Sequence, residues 1–596
     1  MAPPRKENAE FFIHRHKLGG HVYAATRPAY INEKTGKRDH KVVHWGKIID
    51  NVFVPNEDFF ALTPEDRAKF MFPDDVDTGT IKQLLPSKKK RCAPKSKPVN
   101  RCRFYGDIWL LEQIVQKIHL KDILMEIFEQ KEDIVNDLLT LAYYQCITGY
   151  SLNHVARWQR IEATPSDNPL TPSRVTRLTQ KITEEHRIGL LKHLAKRVKK
   201  NNACAVDSTT VSSYGDLANT HWGYNKEGLD LEVTMESVVY SLDDHIPIYY
   251  RIFSGNYPDS MALSLILDDL RNAHFEDLIY ITDRGYDSKR NFERYISEKK
   301  KAIMALKTTQ GLPLKILRTF KPFEVYPEEL EFDPRTGYYM KQFDEEYKVE
   351  ESNGEVIAAD NLKINIYLNT ERRTHELNQL RKEINIQETD LRNFLDNHET
   401  LPCDAILKRN YSYYTLKYDP DTRVLVSYTL NQKKIEKKRL LSGFFSNATI
   451  GLELSALEAH LQYKLRDEQE KHFRKEKSMM SGDRIRASSE EGVAGRHFLL
   501  FLSLILSAYL TYTWKSTDLK KKLATTKDVL DEMRTIQLIE RSEEQKTVTP
   551  FIGLQVDITE AFGFEFPPGC EPNYTSKQVL EKKRGRPKKP EVESCS

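Results

Sequence analysis

Two short apolar runs, each followed directly by an aspartate, constrain the fold of this chain more than any other feature. Residues 203–206 precede Asp207, and residues 278–282 precede Asp283. Both runs have the length and composition of buried strands, and residues 261–273 between them have the pattern of an amphipathic helix. Strands alternating with helices indicate an α/β domain. Because such sheets hold ligands at the carboxyl ends of their strands, the two aspartates are candidate site residues.

The aspartates also have a plainer interpretation. An acid that follows a buried strand is often a turn or helix-capping residue. Two carboxylates would suit a hard, oxygen-preferring cation such as Mg²⁺, but the pair alone does not separate these interpretations. Around them, the sequence predicts a half-buried strand over 229–236, a hairpin continuing through 246–253 and a further buried strand over 302–306.

A helix predicted over 463–477 brings a third acid into the argument. At about 100° per residue, Tyr463, Arg466, Glu470 and Lys477 fall within about 60° of one another on one face. The carboxylate could hold a metal, while the arginine and lysine could bind phosphate oxygens. The alternative is a solvent-facing surface with ion pairs between neighbouring turns.

The spacing of these four residues resembles the Y-R-E-K signature of DDE transposases from bacterial insertion sequences. Five further segments resemble motifs of the same group, in the same order along the chain. They are AVDSTT at 205–210, HWGYNKEG at 221–228, FSGNYPDS at 253–260, ITDRGYDS at 281–288 and GRHFLLFLSLIL at 495–506. The resemblance covers residues 200–515, and more weakly the N-terminal part. One departure is SMMSGDRIRASSEEG at 478–492, where the group often has an Arg-Pro pair, which leaves details of the contact with the DNA end open.

The resemblance implies a ribonuclease H-like catalytic core, interrupted by a β-containing insertion. It implies that Asp207, Asp283 and Glu470 are catalytic and hold two Mg²⁺ ions, with Mn²⁺ as a possible substitute. It also implies that residues flanking the acids bind DNA. These are Tyr463, Arg466 and Lys477. Arg284, which lies next to Asp283 in the sequence, is a further candidate for DNA binding.

The C-terminal tail carries a second nucleic-acid signal. Residues 582–589 read KKRGRPKK, and Arg584 and Arg586 lie in a core that resembles an AT-hook. Arginines in such an extended segment can enter a narrow A·T-rich minor groove. The alternative is a basic tail that only aids solubility.

The remaining organisation follows from composition and periodicity. Apolar residues at helical spacing between Leu110 and Ile118 begin a helical region in which DNA binding is plausible. The basic segment before it, PSKKKRCAPKSKPVNRCR, is either a solvated tether or a contact to the DNA backbone. The predicted divisions are a small β-rich N-terminal module (1–84), a basic linker (85–104), the helical, DNA-binding region (105–200), the first part of the core (201–309), the insertion (310–450), the second part of the core (451–515), a C-terminal segment (516–570) and a disordered basic tail (571–596).

Net charge, cysteine content and hydrophobicity restrict where the protein can bind DNA and in which compartment it works. The net charge is only +4, so any DNA-binding surface must come from local clustering of charge. Seven cysteines without a CxxC pair fit a reducing cytosol, and we expect a cytoplasmic, nucleoid-associated bacterial protein. Residues 497–514 lack Asp, Glu, Lys and Arg. We interpret them as a buried core helix, the alternative being a membrane span.

The sequence therefore predicts a DNA transposase that hydrolyses phosphodiesters and transfers strands at the ends of an insertion sequence. Its partners would be double-stranded terminal inverted repeats and target DNA. Because two ends must be brought together, we expect a homodimer or larger assembly in the synaptic complex. The alternatives are a ribonuclease H-like nuclease without strand transfer, a noncatalytic DNA-binding protein derived from a transposase, and a structural or interaction protein.

Overall fold

The structure is a computed structural model of the chain. It describes residues 10–18, 20–31, 38–79, 101–213, 217–218, 220–223, 230–275, 277–320, 330–351, 354–466, 484–485, 487, 489–541, 545–570 and 572. The chain divides into two compact units, residues 1–99 and residues 100–596.

The described part of the N-terminal unit is built on a four-stranded antiparallel sheet. Its first hairpin turns at Gly20, whose φ of +78° lies in the left-handed region that glycine adopts without strain. Ala24, Phe53 and Phe59 form part of its small apolar core. The strands of this sheet are His14–Leu18, His21–Thr26, Val43–Ile49 and Val52–Pro55. Two shorter strand pairs are formed by Phe11–Phe12 with Phe70–Met71 and by Ala29–Ile31 with Arg38–His40. The helices are Glu57–Phe60 and Pro64–Ala68.

The larger unit begins with helices, as the spacing of its apolar residues predicts. Leu110, Ile114 and Val115 are buried in the main core. The longest of these helices, Glu132–Thr148, ends at Gly149, which takes a left-handed conformation with a φ of 64°. The others are Gly106–Lys117, Leu120–Ile127, Leu152–His154 (a 3-10 turn), Val155–Trp158, Pro172–Thr179 and Glu184–Ala195.

Among the described residues, a mixed sheet of ten strands organises this unit. Ile246–Ser254, Val233–Ser241 and Ala203–Ser213 form an antiparallel meander. Ile279–Thr282 and then Lys301–Leu306 run parallel to Ala203–Ser213. The sheet thus changes from antiparallel to parallel at the strand that carries Asp207.

Beyond Lys301–Leu306 the sheet continues with antiparallel strands. These come from the stretch predicted as an insertion, so part of that stretch extends the central sheet, and its boundaries stay a prediction. The strands are Phe444–Ile450, Val356–Leu368, Tyr338–Glu350 and Glu331–Asp333, and Arg484–Ile485 pairs with the end of Ala203–Ser213. The elements lying off the sheet are Thr370–Asp396, Asp404–Asn410, the hairpin Tyr414–Tyr418 with Leu425–Leu430, and Gln432–Leu441.

Two strand predictions were wrong in detail. The strand carrying Asp207 does not end there, because residues beyond it stay paired to Val233–Ser241. The strand predicted as half-buried over 229–236 begins at Val233, and all of its residues are buried. Of the polar residues that suggested a solvent face, Glu236 is fully buried and contacts His497 of a helix distant in sequence.

That helix, Glu490–Ser516, contains the apolar segment of the sequence. It is long and apolar enough to cross a membrane, but 83% of its most apolar 18-residue window is buried inside the protein. Phe498, Leu499 and Leu502 belong to the main core, as expected of a core helix. The other helices beside the sheet are Asp259–Asn272, Arg284–Tyr286 (a 3-10 turn), Lys289–Ser297, Gly311–Phe320 and the helix described over 456–466.

The C-terminal part packs against the start of this unit. Gln537–Glu540 pairs with Arg101–Phe104, and Arg103 donates a hydrogen bond to Glu540 at 2.8 Å. The last residues of the predicted basic linker are therefore a strand, whereas residues 85–100 lie outside the described part of the chain. The remaining elements are Leu519–Lys522, Thr526–Arg534, Lys546–Val548 and Leu554–Phe562.

Candidate active site

Asp207 and Asp283 lie side by side on neighbouring parallel strands. The register pairs Val206 with Thr282, so the two aspartates occupy the next positions on each strand. Neighbouring strands are about 4.8 Å apart, and side chains at paired positions point to the same face. Both aspartates are half-buried. The arrangement brings two carboxylates to one point on the sheet, where solvent still has access.

The chain turns sharply after Asp283. Its side chain accepts a hydrogen bond of 2.8 Å from the backbone N–H of Gly285. This bond caps the start of the 3-10 turn Arg284–Tyr286. A Cβ at position 285 would lie 3.0 Å from Oδ1 of Asp283 and 3.0 Å from Oδ2 of Asp259. Glycine at 285 therefore lets the turn pass close to two carboxylates.

Asp259 is a neighbour that the sequence analysis did not single out. It is the first residue of helix Asp259–Asn272 and the acid of the FSGNYPDS segment. Its place in that motif is the sequence signal that could have identified Asp259 as a candidate site residue. A carboxylate in the first turn of a helix also interacts favourably with the helix dipole, so a structural reason for this acid exists as well.

Beneath the aspartates lies a chain of buried hydroxyl groups. The Ser208 hydroxyl is 2.7 Å from the Ser237 hydroxyl and 2.7 Å from the Tyr286 phenol. Burial raises the pKa of Tyr286 well above its ordinary value, and the negative charges of Asp259, Asp207 and Asp283 raise it further. The phenol therefore stays protonated under the acids.

Tyr463 approaches the second aspartate from the helix at 456–466. Its ring packs against the apolar cluster that contains Ala205 and Ile281. Burial raises the pKa of Tyr463; the charge of Arg466 opposes this, the charge of Asp283 adds to it, and Arg284 opposes it weakly. Tyr463 therefore lies within the electrostatic influence of Asp283 and of the exposed Arg284.

Arg466 shares the inward face of the same helix. It is only 4% exposed, and its Nη2 donates a hydrogen bond of 3.2 Å to the Tyr463 phenol oxygen. Its guanidinium also lies 5.0 Å from the centre of the Tyr463 ring. The structure thus brings together Asp207, Asp283, Arg284, Tyr463 and Arg466 of the predicted site.

Four of the predicted site residues lie outside the described part of the chain. Glu470 and Lys477 fall within 467–483, and Arg584 and Arg586 fall within 573–596, all outside the described residues. Among the residues that are described, no group of three or more His, Cys, Asp or Glu side chains could hold a metal ion. Asp207 and Asp283 offer the oxygen ligands that Mg²⁺ prefers, and a third ligand would come from elsewhere in the chain.

The sequence from residue 199 to residue 506, slightly more than half of the chain, matches the family model described as a transposase DDE domain. The chain belongs to the DDE transposase family. Six solved chains also match. One, from a cryo-EM structure of the piggyBac transposase synaptic complex with hairpin DNA, is 8% identical over 78% of each chain, with a TM-score of 0.34; a likeness this weak carries no argument. No curated protein matches.

The family match spans both aspartates of this transposase, the Tyr463 helix and the start of the core helix. Within it lies a further buried pair that the sequence analysis missed. Nδ1 of His497 is 2.9 Å from Oε1 of Glu236, and both side chains are fully inaccessible. Glu236 is paired across the strands with Thr209, two residues beyond Asp207. The pair joins the core helix to the strand beside the candidate site.

Proposed function

We propose that this protein is a DNA transposase of the Y-R-E-K group. It would cut phosphodiester bonds at the ends of a bacterial insertion sequence and join them to target DNA. The observation that carries the proposal is the juxtaposition of Asp207 and Asp283 inside the region matched by the family, with Tyr463 close enough for the charge of Asp283 to raise its pKa.

Asp207, Asp283 and Glu470 would hold two Mg²⁺ ions, for which Mn²⁺ could substitute. Bound there, the metal would activate water or a DNA 3′-hydroxyl and stabilise the leaving oxygen. Two half-buried aspartates on neighbouring strands support this, because carboxylate oxygens are the ligands that Mg²⁺ prefers. Glu470 is included as the third acid because of its position in the Y-R-E-K signature.

The residues around the acids would bind the DNA backbone. The Tyr463 phenol stays protonated because its pKa is raised, so it can donate a hydrogen bond to a phosphate oxygen. Arg466, Arg284 and Lys477 would neutralise phosphate charge, since a guanidinium or ammonium group binds phosphate oxygens well.

The wider architecture of the proposal is a ribonuclease H-like core. The antiparallel meander, followed by two strands parallel to its first strand, supports this. The helical region 105–200 would bind terminal repeats, and Arg584 and Arg586 would add minor-groove contacts. We further propose a homodimer or larger assembly on DNA, in the nucleoid-associated cytoplasm of a bacterium.

Cleavage and joining of the element's own DNA ends test this function. Purified protein would be incubated with Mg²⁺, a labelled duplex that carries the inverted repeat flanking the gene, and a target plasmid. We expect end cleavage and joined products from the wild type and from Asp421→Ala, which alters an exposed acid in a turn off the central sheet. Asp207→Ala, Asp283→Ala and Glu470→Ala should lose both products.

The same experiment separates the alternatives. Cleavage without joined products would favour a ribonuclease H-like nuclease that only cuts. DNA binding without metal-dependent cleavage by the wild type would favour a noncatalytic DNA-binding protein. Cleavage that survives any one of the three acid substitutions would refute the assignment of the site.

A further inference from the structure

The hydroxyl chain beneath the aspartates connects the two strands that carry them. Ser208 follows Asp207 directly, and Tyr286 comes three residues after Asp283. The side chains of Ser208, Ser237 and Tyr286 lie at least nine-tenths out of solvent, and the two oxygen contacts that join them are both 2.7 Å. A short chain of hydrogen bonds therefore crosses the sheet immediately under the candidate site.

These hydrogen bonds lie where the backbone pairing between the strands stops. The parallel register between Ala203–Ser213 and Ile279–Thr282 ends at Val206 and Thr282, one residue before the aspartates. Beyond that point the first strand continues along Val233–Ser241, while the second enters the 3-10 turn. The Ser208–Tyr286 contact links the two diverging segments after the ladder has ended.

The turn is held from its other side as well. The Asn291 side-chain amide donates a hydrogen bond of 2.8 Å to the Tyr286 carbonyl, and the backbone N–H of Lys307 donates to Asp287 at 2.8 Å. The backbone around Tyr286 is therefore anchored, so that a bond from its phenol can transmit position to the first strand.

We infer that Tyr286 and Ser208 are positioning residues that fix the separation and orientation of Asp207 and Asp283 for metal binding. This rests on the proposed function, in which those aspartates hold the metal. One hydroxyl donates while the other accepts, and Ser208 can serve both neighbours because a hydroxyl has one proton and two lone pairs. The raised pKa of Tyr286 keeps the phenol protonated, so the link persists across the working pH range.

Tyr286→Phe removes only the phenol oxygen, and Ser208→Ala removes the other end of the same bond. Tyr249→Phe is the matched control, because Tyr249 is equally buried and its phenol donates to Asp269 at 2.8 Å. Binding of Mn²⁺ would be followed by the loss of the free-ion EPR signal, with thermal unfolding and DNA cleavage measured on the same samples.

We expect Tyr286→Phe and Ser208→Ala to bind Mn²⁺ about three- to ten-fold more weakly, the range expected for losing one buried hydrogen bond. The double variant should be no worse than the worse single variant, because both remove the same link. Tyr249→Phe should bind Mn²⁺ as the wild type does, while its unfolding temperature falls at least as much as that of Tyr286→Phe, because its phenol donates to a carboxylate.

Wild-type affinity in Tyr286→Phe would overturn the positioning role, as would equal weakening in Tyr249→Phe. If Mn²⁺ binding by the wild type were absent or did not depend on Asp207, the proposed metal site itself would be refuted, and the positioning role with it. The two failures are thus distinguishable.

Discussion

His460 lies on the helix that carries Tyr463, and it makes stability depend on pH in a predictable way. Its ring is 2% exposed and packs among Tyr338, Tyr367 and Phe445, with ring centres 4.8, 5.0 and 5.4 Å away. Neither ring nitrogen has a hydrogen-bond partner among the described residues. Burial, with a smaller contribution from the Lys464 charge, lowers the pKa of His460 from 6.5 to about 4, while the charge of Asp333 opposes the shift.

The direction of the pH effect on stability follows from the different pKa of His460 in the folded and the unfolded chain. Above pH 6.5 the imidazole is neutral in both the folded and the unfolded chain, so its titration does not affect stability. As the pH falls from 6.5 towards 4, the unfolded chain takes up a proton that the folded chain does not, and the free energy of unfolding decreases. A shift of this size corresponds to about 3 kcal/mol at most, and we expect on the order of 2 kcal/mol after solvent screening.

His460→Phe isolates this contribution, because phenylalanine suits the aromatic cluster and does not titrate. Urea unfolding would be measured at pH 7.5 and pH 4.5 for the wild type, for His460→Phe and for His398→Phe, which alters an exposed histidine. We expect the wild type and His398→Phe to lose about 2 kcal/mol more than His460→Phe between the two pH values. Equal losses in all three proteins would refute the reasoning.

Three further substitutions test other contacts. Gly285→Ala should weaken Mn²⁺ binding and slow DNA cleavage about ten-fold or more, because its Cβ would lie 3.0 Å from oxygens of Asp283 and Asp259; unchanged binding and cleavage rate would contradict this. His497→Ala should lower the free energy of unfolding by about 2–4 kcal/mol, since it removes a fully buried side chain together with its 2.9 Å contact to Glu236, and a loss below 1 kcal/mol in urea unfolding would argue against it. Gly495→Ala should lower the free energy of unfolding by about 1–3 kcal/mol in the same assay, because its Cβ would meet the Thr179 carbonyl oxygen. Wild-type stability would show that the helices Pro172–Thr179 and Glu490–Ser516 can move apart at no cost.

The sequence predicted those parts of the site that depend on local pattern. Short apolar runs before Asp207 and Asp283 indicated buried strands, and the structure has both strands, side by side and parallel. Helical periodicity placed Tyr463 and Arg466 on one face, and Arg466 is indeed buried on it, hydrogen-bonded to Tyr463. The roles of these residues in catalysis and DNA binding stay predictions.

Contacts between distant segments were beyond the reach of local pattern. The alternation of polar and apolar residues before and within Val233–Ser241 suggested a solvent face, because nothing local shows that Glu236 meets His497 of the helix Glu490–Ser516. Glu236 and His497 lie 261 positions apart, and Ser208 and Tyr286 lie 78 apart. Their pairing depends on strand order and register, which neither spacing nor composition specifies.

The rate of metal-dependent cleavage at the element's own DNA end tests the central claim most directly. Under single-turnover conditions with Mg²⁺, we expect Asp207→Asn and Asp283→Asn each to cut at least about a thousand-fold more slowly than the wild type, since a lost metal ligand removes about 4 kcal/mol of transition-state stabilisation. Asp421→Asn should cut at the wild-type rate. Cleavage by either site variant at a rate close to that of the wild type would contradict the account.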